Sequence, residues 1–348
     1  MCERCYVNTL KSRRRGRMKQ KRISIIDVAK AAGVSTATVS RVINQMGGYS
    51  EKTEKKVLET IKECGFRPNA SAIGLRTKKS RSVGVIVPDI TNEFFARIVR
   101  TLNVFFLKYN YSVFICDLNE DAEMEERHIQ DMLDKNVDGL IFVSGRDTTS
   151  PLLKDAKVPT VYIDRSPKDA RTTVCSDNYQ GGYIAGKKLC ECGCKNILFV
   201  RDCRMPSTVE QRRDGFLKAL DECGYSQENP HEIGIQPEYK ATKEKMLELI
   251  RKQECPYDGI FVSNDIMALG VLHALTEAGV MVPKQVRLIG FDNISLSEIC
   301  HPPMTTVAQN TEQMSLYAGE ALINLMRNED VEEKIHIIPV HLELRSTT

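Results

Sequence analysis

The 348-residue sequence has no apolar run approaching the ~18 residues that suggest a membrane span. Its N-terminus is basic and lacks the apolar stretch of a secretion signal. Both absences predict a cytoplasmic protein with no membrane partner. Also missing are a Walker phosphate loop, G-x-G-x-x-G, H-E-x-x-H and G-x-S-x-G, and the six His residues are scattered singly. The chain therefore reads as a protein without catalysis and without a resident cofactor. Twelve cysteines are present, but diluted, and several sit in apolar runs such as "SVFICDL", where they read as small core residues. "CERC" (Cys2, Cys5) and "CECGC" (Cys190, Cys192, Cys194) have neither a nearby His nor a second well-spaced pair, so no metal is expected.

At 42% apolar and 27% charged residues the chain has room for two or three ordinary globular domains. Its charge is unevenly placed. Residues 1–82 carry 20 Lys+Arg against 6 Asp+Glu, a net of +14, and the rest carries a net of −11. A basic head on an acidic body points to a polyanionic partner for the head. Residues 1–19, which include "KSRRRGRMK" and Met18, read as a disordered basic arm or as the product of an upstream translation start.

Ser24 is placed to cap a helix over about Ile25 to Ala32, Gly33 to turn the chain, and Ser35 to cap a second helix over about Thr36 to Asn44. At roughly 100° per residue, Val39, Val42 and Ile43 share one arc of that second helix; Thr36, Ala37, Ser40 and Arg41 share the other. A solvated helix would carry Glu and Lys there. Small hydroxyls and a single Arg suit a helix lying in the DNA major groove, where Arg pairs with guanine. A third helix, "EKTEKKVLETIKEC", starts after Ser50, carries Val57, Leu58, Ile61 and Cys64 at core spacing, and stops at Gly65. The alternative is an ordinary three-helix interaction module.

"ISIIDVAKAAGVSTATVSRVIN" and "YSEKTEKKVLETIKECGFRPNASAIGLRTKKSRSVGVIVPD" resemble the head and hinge of the lactose repressor (LacI/GalR) family almost position for position. The resemblance implies that Thr36, Ala37 and Arg41 read bases, and that Ser35, Thr38, Ser40 and Asn44 contact phosphates. It places Leu75 as the wedge in the minor groove, where unstacking is repaid by a kinked duplex. It further implies a helix-turn-helix domain at 20–67, a hinge at 68–81 and a two-lobed effector-binding and dimerisation domain at 82–348. Ile73 and Gly74 replace the polar, helix-tolerant pair common before that leucine. Since Gly costs about 1 kcal/mol in a helix interior, the hinge is expected to be disordered off DNA and to fold when two copies meet on the operator.

From Ser82 onward, apolar runs such as "VGVIVPD", "GLIFVS" and "VPTVYID" alternate with helical patterns: the βαβ rhythm of a parallel sheet, with ligands beyond the carboxyl ends of its strands. One helix, Phe94 to Tyr109, is expected to bury a stripe of Phe95, Ile98, Leu102, Phe106 and Tyr109. "DGLIFVS" at 138–144 is echoed by "DGIFVSND" at 258–265, so the fold class is α/β with two similar lobes and a cleft between them. Polar and aromatic residues at strand ends suit a sugar, amides and carboxylates meeting hydroxyls and rings covering C–H faces. Singly, Phe94 or Phe95 also reads as core, Asp164 and Asp292 as helix caps, and Asn264 as a turn residue.

The body resembles a periplasmic-type sugar-binding fold, and its sugar-site residues are most similar to those of the ribose operon repressor and the ribose-binding protein. By that resemblance Asn92, Phe94, Phe95, Asp164, Arg165, Arg212, Asn264, Asp292 and Gln309 contact a ribose-like effector. Arg201, Arg204 and Arg213 around Arg212 leave open a sugar acid such as 2-keto-3-deoxygluconate or a sugar phosphate; a protein effector is also known in the family. The expected protein is a homodimeric repressor of operator DNA controlled by a small sugar. A sugar-binding transport protein would share the body but need no basic head.

Overall fold

The computed structural model describes residues 23–43, 46–66, 79–119, 121–145, 148–225, 231–252, 256–329 and 335–348. Asn44, Leu75, Ile73, Gly74, Cys2, Cys5, the 1–19 arm and most of the 68–81 hinge lie outside the described residues. The chain divides into two compact units, Met1–Lys78 and Lys79–Thr348.

The first unit holds α1 (Ile25–Ala32), α2 (Thr36–Ile43) and α3 (Glu51–Cys64). Ser24 and Asp27 form a reciprocal capping box at the start of α1, which satisfies two amide donors that a helix end leaves orphaned. Gly33 (φ 64°) and Gly65 (φ 63°) adopt the left-handed conformation that stops α1 and α3. Val28, Ala29, Ala32, Val39, Val42 and Val57 form the core. Leu58 departs from expectation: it is 49% exposed, and Thr60 is buried instead, its hydroxyl donating to Lys56 O at 2.8 Å. A hydroxyl that bonds back into its own helix can face the core, so polarity alone misassigned the stripe.

The second unit runs β1 (Ser82–Val87), α4 (Glu93–Lys108), β2 (Ser112–Asp117), α5 (Ala122–Asp134), β3 (Gly139–Val143), α6 (Pro151–Ala156), β4 (Thr160–Ile163) and β5 (Thr173–Ser176). It continues with α7 (Asn178–Glu191), β6 (Ile197–Asp202), α8 (Ser207–Glu222), β7 (His231–Ile235), α9 (Tyr239–Arg251), β8 (Gly259–Val262), α10 (Asp265–Glu277) and β9 (Arg287–Asp292). The last elements are α11 (Ser295–Ile299), β10 (Thr305–Ala308), α12 (Thr311–Met326), β11 (Ile335–Ile338) and β12 (His341–Glu343).

Among the described residues these strands form two six-stranded sheets, ordered β11-β5-β4-β3-β1-β2 and β12-β10-β9-β8-β6-β7. The orders correspond strand for strand, and the echoed segments occupy equivalent places as β3 and β8. All recorded pairings are parallel except β10 with β12. Central strands such as β1, β3 and β8 are buried along their whole length, because helices cover both faces of a parallel sheet. The chain passes between lobes after β5, after β10 and before β12; Asp177 N donates to Ile338 O at 2.9 Å, tying two crossings together.

Helix α4 starts at its cap Asn92 and buries Phe94, Ile98, Val99, Leu102, Phe105 and Phe106. Tyr109, expected in that stripe, lies just past the helix end and is 38% exposed; Phe105 takes its place and packs against Gly319 of α12. Helices α7 and α8 touch backbone to backbone. A Cβ on Gly182 would fall 1.8 Å from Arg212 O, and one on Gly215 would fall 1.9 Å from Tyr179 O. Among the described cysteines only Cys116 and Cys194 are buried; Cys203 is exposed and the others are half-buried, so the small-core reading holds for a minority.

Candidate functional site

On the head unit, Ser35, Thr36, Ala37 and Arg41 are exposed and Thr38 and Ser40 half-exposed. Ser35 Oγ accepts from Thr38 N at 3.0 Å and lies 2.9 Å from Thr38 Oγ1, so one hydroxyl both caps α2 and orients its neighbour. Helix α2, TATVSRVI, has no acidic residue, and its outward face offers hydroxyls, a methyl and one guanidinium. Such a face suits a polyanion: hydroxyls donate to phosphates and an Arg reaches a base edge.

In the second unit a cavity of about 220 Å³ lies between the lobes at the carboxyl ends of the strands, and all nine residues expected at the sugar site line it. Asn92 and Asn264 are helix caps. Their Oδ1 atoms accept from Phe94 N (3.0 Å) and Met267 N (2.8 Å), which leaves each Nδ2 as a donor. Phe94 is buried in the core and also lines the cavity, edge-to-face with Phe95 at 5.3 Å. Asp164 and Asp292 cap no helix. They stand at the ends of β4 and β9 with φ of 71° and 115°, and Ser144 (φ 54°) and Asn293 (φ 55°) share that left-handed region. Non-glycine residues held there carry local strain, and three of these, Ser144, Asp164 and Asp292, line the cavity itself.

Arg212 is the buried centre. Its Nε donates to Asn178 Oδ1 (2.8 Å) and its Nη1 to Ser263 O (2.5 Å); the guanidinium lies 3.6 Å from the Phe291 ring centroid and 3.9 Å from Asp292. Gln309, on a crossing between lobes, donates to Asp292 Oδ1 at 2.7 Å. Ser144 donates to Asp164 Oδ2, and Arg165 Nη2 to Ser144 O at 3.3 Å. Two buried acceptors remain without a partner among the described residues: Asp164 Oδ1 and Gln309 Oε1.

Burial pulls Arg212 below its usual range, against the opposing charges of Asp292, Asp164 and Asp265. Burial pushes Asp292 up to about 7 although Arg212 and Gln309 favour its carboxylate. Asp265, fully buried behind it, is raised well above the carboxylate range by burial and by Asp292. Thr306 and Ile294 N hold Asp265 at 2.7 and 3.0 Å.

Ser144, Asp202, Ser263 and Asp265 went unnoticed in the sequence. Ser144 and Ser263 close the echoed segments "DGLIFVS" and "DGIFVS", so the repeat itself was the signal. The extra arginines behave differently from Arg212. Arg201 and Arg213 both pair with Glu232, at 3.2 and 2.6 Å, and neither lines the cavity. Arg204 does line it, but its guanidinium is engaged by Asp202 at 2.7 to 3.0 Å. Beside the cavity the lobes touch: Glu93 accepts from Ser295 N (2.9 Å) and Oγ (2.6 Å), and Arg97 donates to Asn293 O at 2.9 Å. Burial opposes ionisation of Glu93, but these Ser295 bonds and the Arg97 charge hold it below its usual range. Among the described residues no His, Cys, Asp and Glu cluster is placed to hold a metal ion, and no helix is long and apolar enough to cross a membrane.

A three-helix head with a bare, hydroxyl-rich second helix, joined to a two-lobed core around a polar cavity, defines a DNA-binding regulator with an effector domain. Residues 24–69 match the lacI family of bacterial regulatory proteins, and residues 187–348 match the periplasmic binding protein-like domain. Catabolite control protein A of Priestia megaterium is 36% identical over 332 residues, covering 94% of this chain and 99% of that protein. The chain belongs to the LacI family of transcriptional regulators. The lac repressor dimer bound to operator and the anti-inducer ONPF superposes with a TM-score of 0.84 at 24% identity, covering 94% of this chain and 99% of that one. A LacI family regulator from Enterococcus faecium with bound ribose superposes with a TM-score of 0.70 at 28% identity, covering 77% and 98%.

Proposed function

We propose that this regulator is a repressor that binds a pseudo-palindromic operator as a homodimer through α2 and responds to a neutral monosaccharide, a ribose-like pentose, held between its lobes. The observation that carries the effector reading is the pair of buried, unpartnered acceptors, Asp164 Oδ1 and Gln309 Oε1. A buried acceptor without a donor costs roughly 1–3 kcal/mol, and sugar hydroxyls would supply both donors. An anion would place further acceptors against them. Asp202 and Glu232 neutralise the neighbouring arginines, which weakens the reading as a sugar acid or sugar phosphate. A cavity of about 220 Å³ suits one sugar ring; pockets for drug-sized ligands run from roughly 300 Å³ upward. The ribose-bound neighbour supports a pentose, and with it the likeness to the ribose operon repressor.

In this reading Thr36, Ala37 and Arg41 read bases, Ser35, Thr38 and Ser40 hold phosphates, and the other seven cleft residues join Asp164 and Gln309 around the sugar. Residues 20–67 serve as reading head, 68–81 as hinge and 82–348 as sensor and dimerisation domain. Closure of the lobes on the sugar weakens operator binding through a coupling of about 1–3 kcal/mol.

Isothermal titration of the full chain with D-ribose, beside other pentoses, hexoses, sugar acids and sugar phosphates, tests the effector. Saturable heat with a neutral pentose alone is expected. Heat confined to a sugar acid or phosphate would sink the neutral-sugar assignment. Arg41→Ala is expected to cost about 1–3 kcal/mol of operator affinity and to relax sequence preference at one position of each half-site. Unchanged affinity and preference in a gel-shift titration would remove α2 as the reading element.

A further inference from the structure

Beyond the effector cleft, α7 and α8 bring together two thiols with no part in it. The two helices run in parallel register from their backbone contact at Gly182 and Arg212. One turn further along α7 and two along α8, a Cβ on Gly186 would lie 2.8 Å from Ala219 Cβ. Another turn along each helix from that pair stand Cys190, in the last turn of α7, and Cys223, the C-cap of α8. Both are half-buried, and Cys223 is close enough to Cys190 to raise its thiol. Disulfide formation needs Cβ atoms roughly 3.5–4.5 Å apart, and the close contact of Gly186 with Ala219 one turn earlier brings the two helix ends near each other.

We propose that Cys190 and Cys223 are a dithiol oxidation site, which closes to an intramolecular disulfide across the ends of α7 and α8 when the protein meets a low-molecular-weight disulfide. Burial and the neighbouring Cys223 push the Cys190 thiol up to about 12. In the proposed order the Cys223 sulfur, at the end of α8, attacks first. Its thiolate attacks one sulfur of the small disulfide and expels the other half as a thiolate, leaving a mixed disulfide on Cys223. Cys190 then gives up its proton, attacks the Cys223 sulfur and releases the second small thiol. Two protein thiols are oxidised, one small disulfide is reduced to two thiols, and no metal is needed. Toward their N-terminal ends the same helices present Asn178, first in α7, and Arg212, in the second turn of α8, joined at 2.8 Å, so the link fastens the frame that holds the cavity's central cation.

The test is to incubate the full-length protein with oxidised glutathione, block remaining thiols and map peptides under non-reducing conditions. The expected result is a Cys190–Cys223 linked peptide, loss of two alkylatable thiols, reversal by dithiothreitol and a higher melting temperature for the oxidised form. Cys190→Ala and Cys223→Ala should each abolish the link and the rise in melting temperature. Cys203→Ala, an exposed control, should keep both. Full alkylation of both thiols after oxidation, a stable glutathione adduct on one of them without a link, or linkage to other cysteines would each overturn the proposal.

Discussion

Gly182→Ala is expected to lower the melting temperature of the second unit by about 2–8 °C and to weaken effector binding with it, whereas Gln180→Ala on the exposed side of the same helix changes neither. The added methyl would meet the Arg212 carbonyl oxygen at 1.8 Å and its carbonyl carbon at 2.7 Å. These are backbone atoms, which cannot turn aside as a flexible side chain does. The helices must therefore separate, at a cost typical of an overpacked core, about 1–3 kcal/mol or more. The better helix propensity of alanine, about 1 kcal/mol, offsets part of this. Because Arg212 sits at the contact, separation also stretches its bond to Asn178 and unseats the guanidinium from the Phe291 ring. Gly186→Ala, whose methyl meets the Ala219 Cβ at 2.8 Å and Phe216 O at 3.0 Å, should give a smaller drop in the same direction. Scanning calorimetry with and without pentose measures both effects. A Gly182→Ala protein that melts with the wild type would show that the helices have slack.

This contact also marks where legibility in the sequence ends. The head's helices and their caps could be read directly, because Ser24, Gly33, Ser50 and Gly65 punctuate short helices and local chemistry decides their ends. The alternating strands and helices were equally plain, and the repeat "DGLIFVS"/"DGIFVS" gave the paired lobes. Residue types at strand ends, together with family likeness, placed nine side chains around one cavity. Long-range partners were hidden. Nothing near "RDCRMPSTVEQRRDGF" shows that Glu232 neutralises both Arg201 and Arg213, because the carboxylate comes from β7, 31 and 19 residues further on. Nor does any local pattern show that β11 and β12, each of three or four residues, belong to different sheets. Leu58 and Tyr109 failed for a simpler reason: a helical stripe has an edge, and burial at the edge is settled by the neighbouring element.

Effector affinity should rise with pH up to neutrality and then level off, and Asp292→Asn should abolish most of that dependence while lowering affinity by about 2–3 kcal/mol. Burial holds Asp292 at about 7 in the free protein, so near pH 6 its carboxyl is largely protonated. A sugar hydroxyl that donates to Asp292 selects the carboxylate, and binding then releases a proton. Below neutrality affinity can change by at most about tenfold per pH unit for one linked proton. Asp164, Asp265 and Arg212 face the same carboxylate. Asp265, raised by burial and by Asp292 itself, is the other candidate source of pH dependence, and whatever survives in Asp292→Asn belongs to it.

Stability of the unliganded protein should run the opposite way. The folded value for Asp292 lies above the unfolded value of about 3.9, so the native state binds more protons between them. Its contribution is complete below the unfolded value and is lost as pH rises through about 7. Titrations in buffers of different ionisation enthalpy, at pH 6 and pH 8, read the released proton directly. Heat independent of buffer at pH 6 would mean that Asp292 is already ionised before the sugar arrives, with Arg212 and Gln309 outweighing burial. A buffer-dependent heat lost in Asp292→Asn would tie effector recognition to this one buried carboxylate.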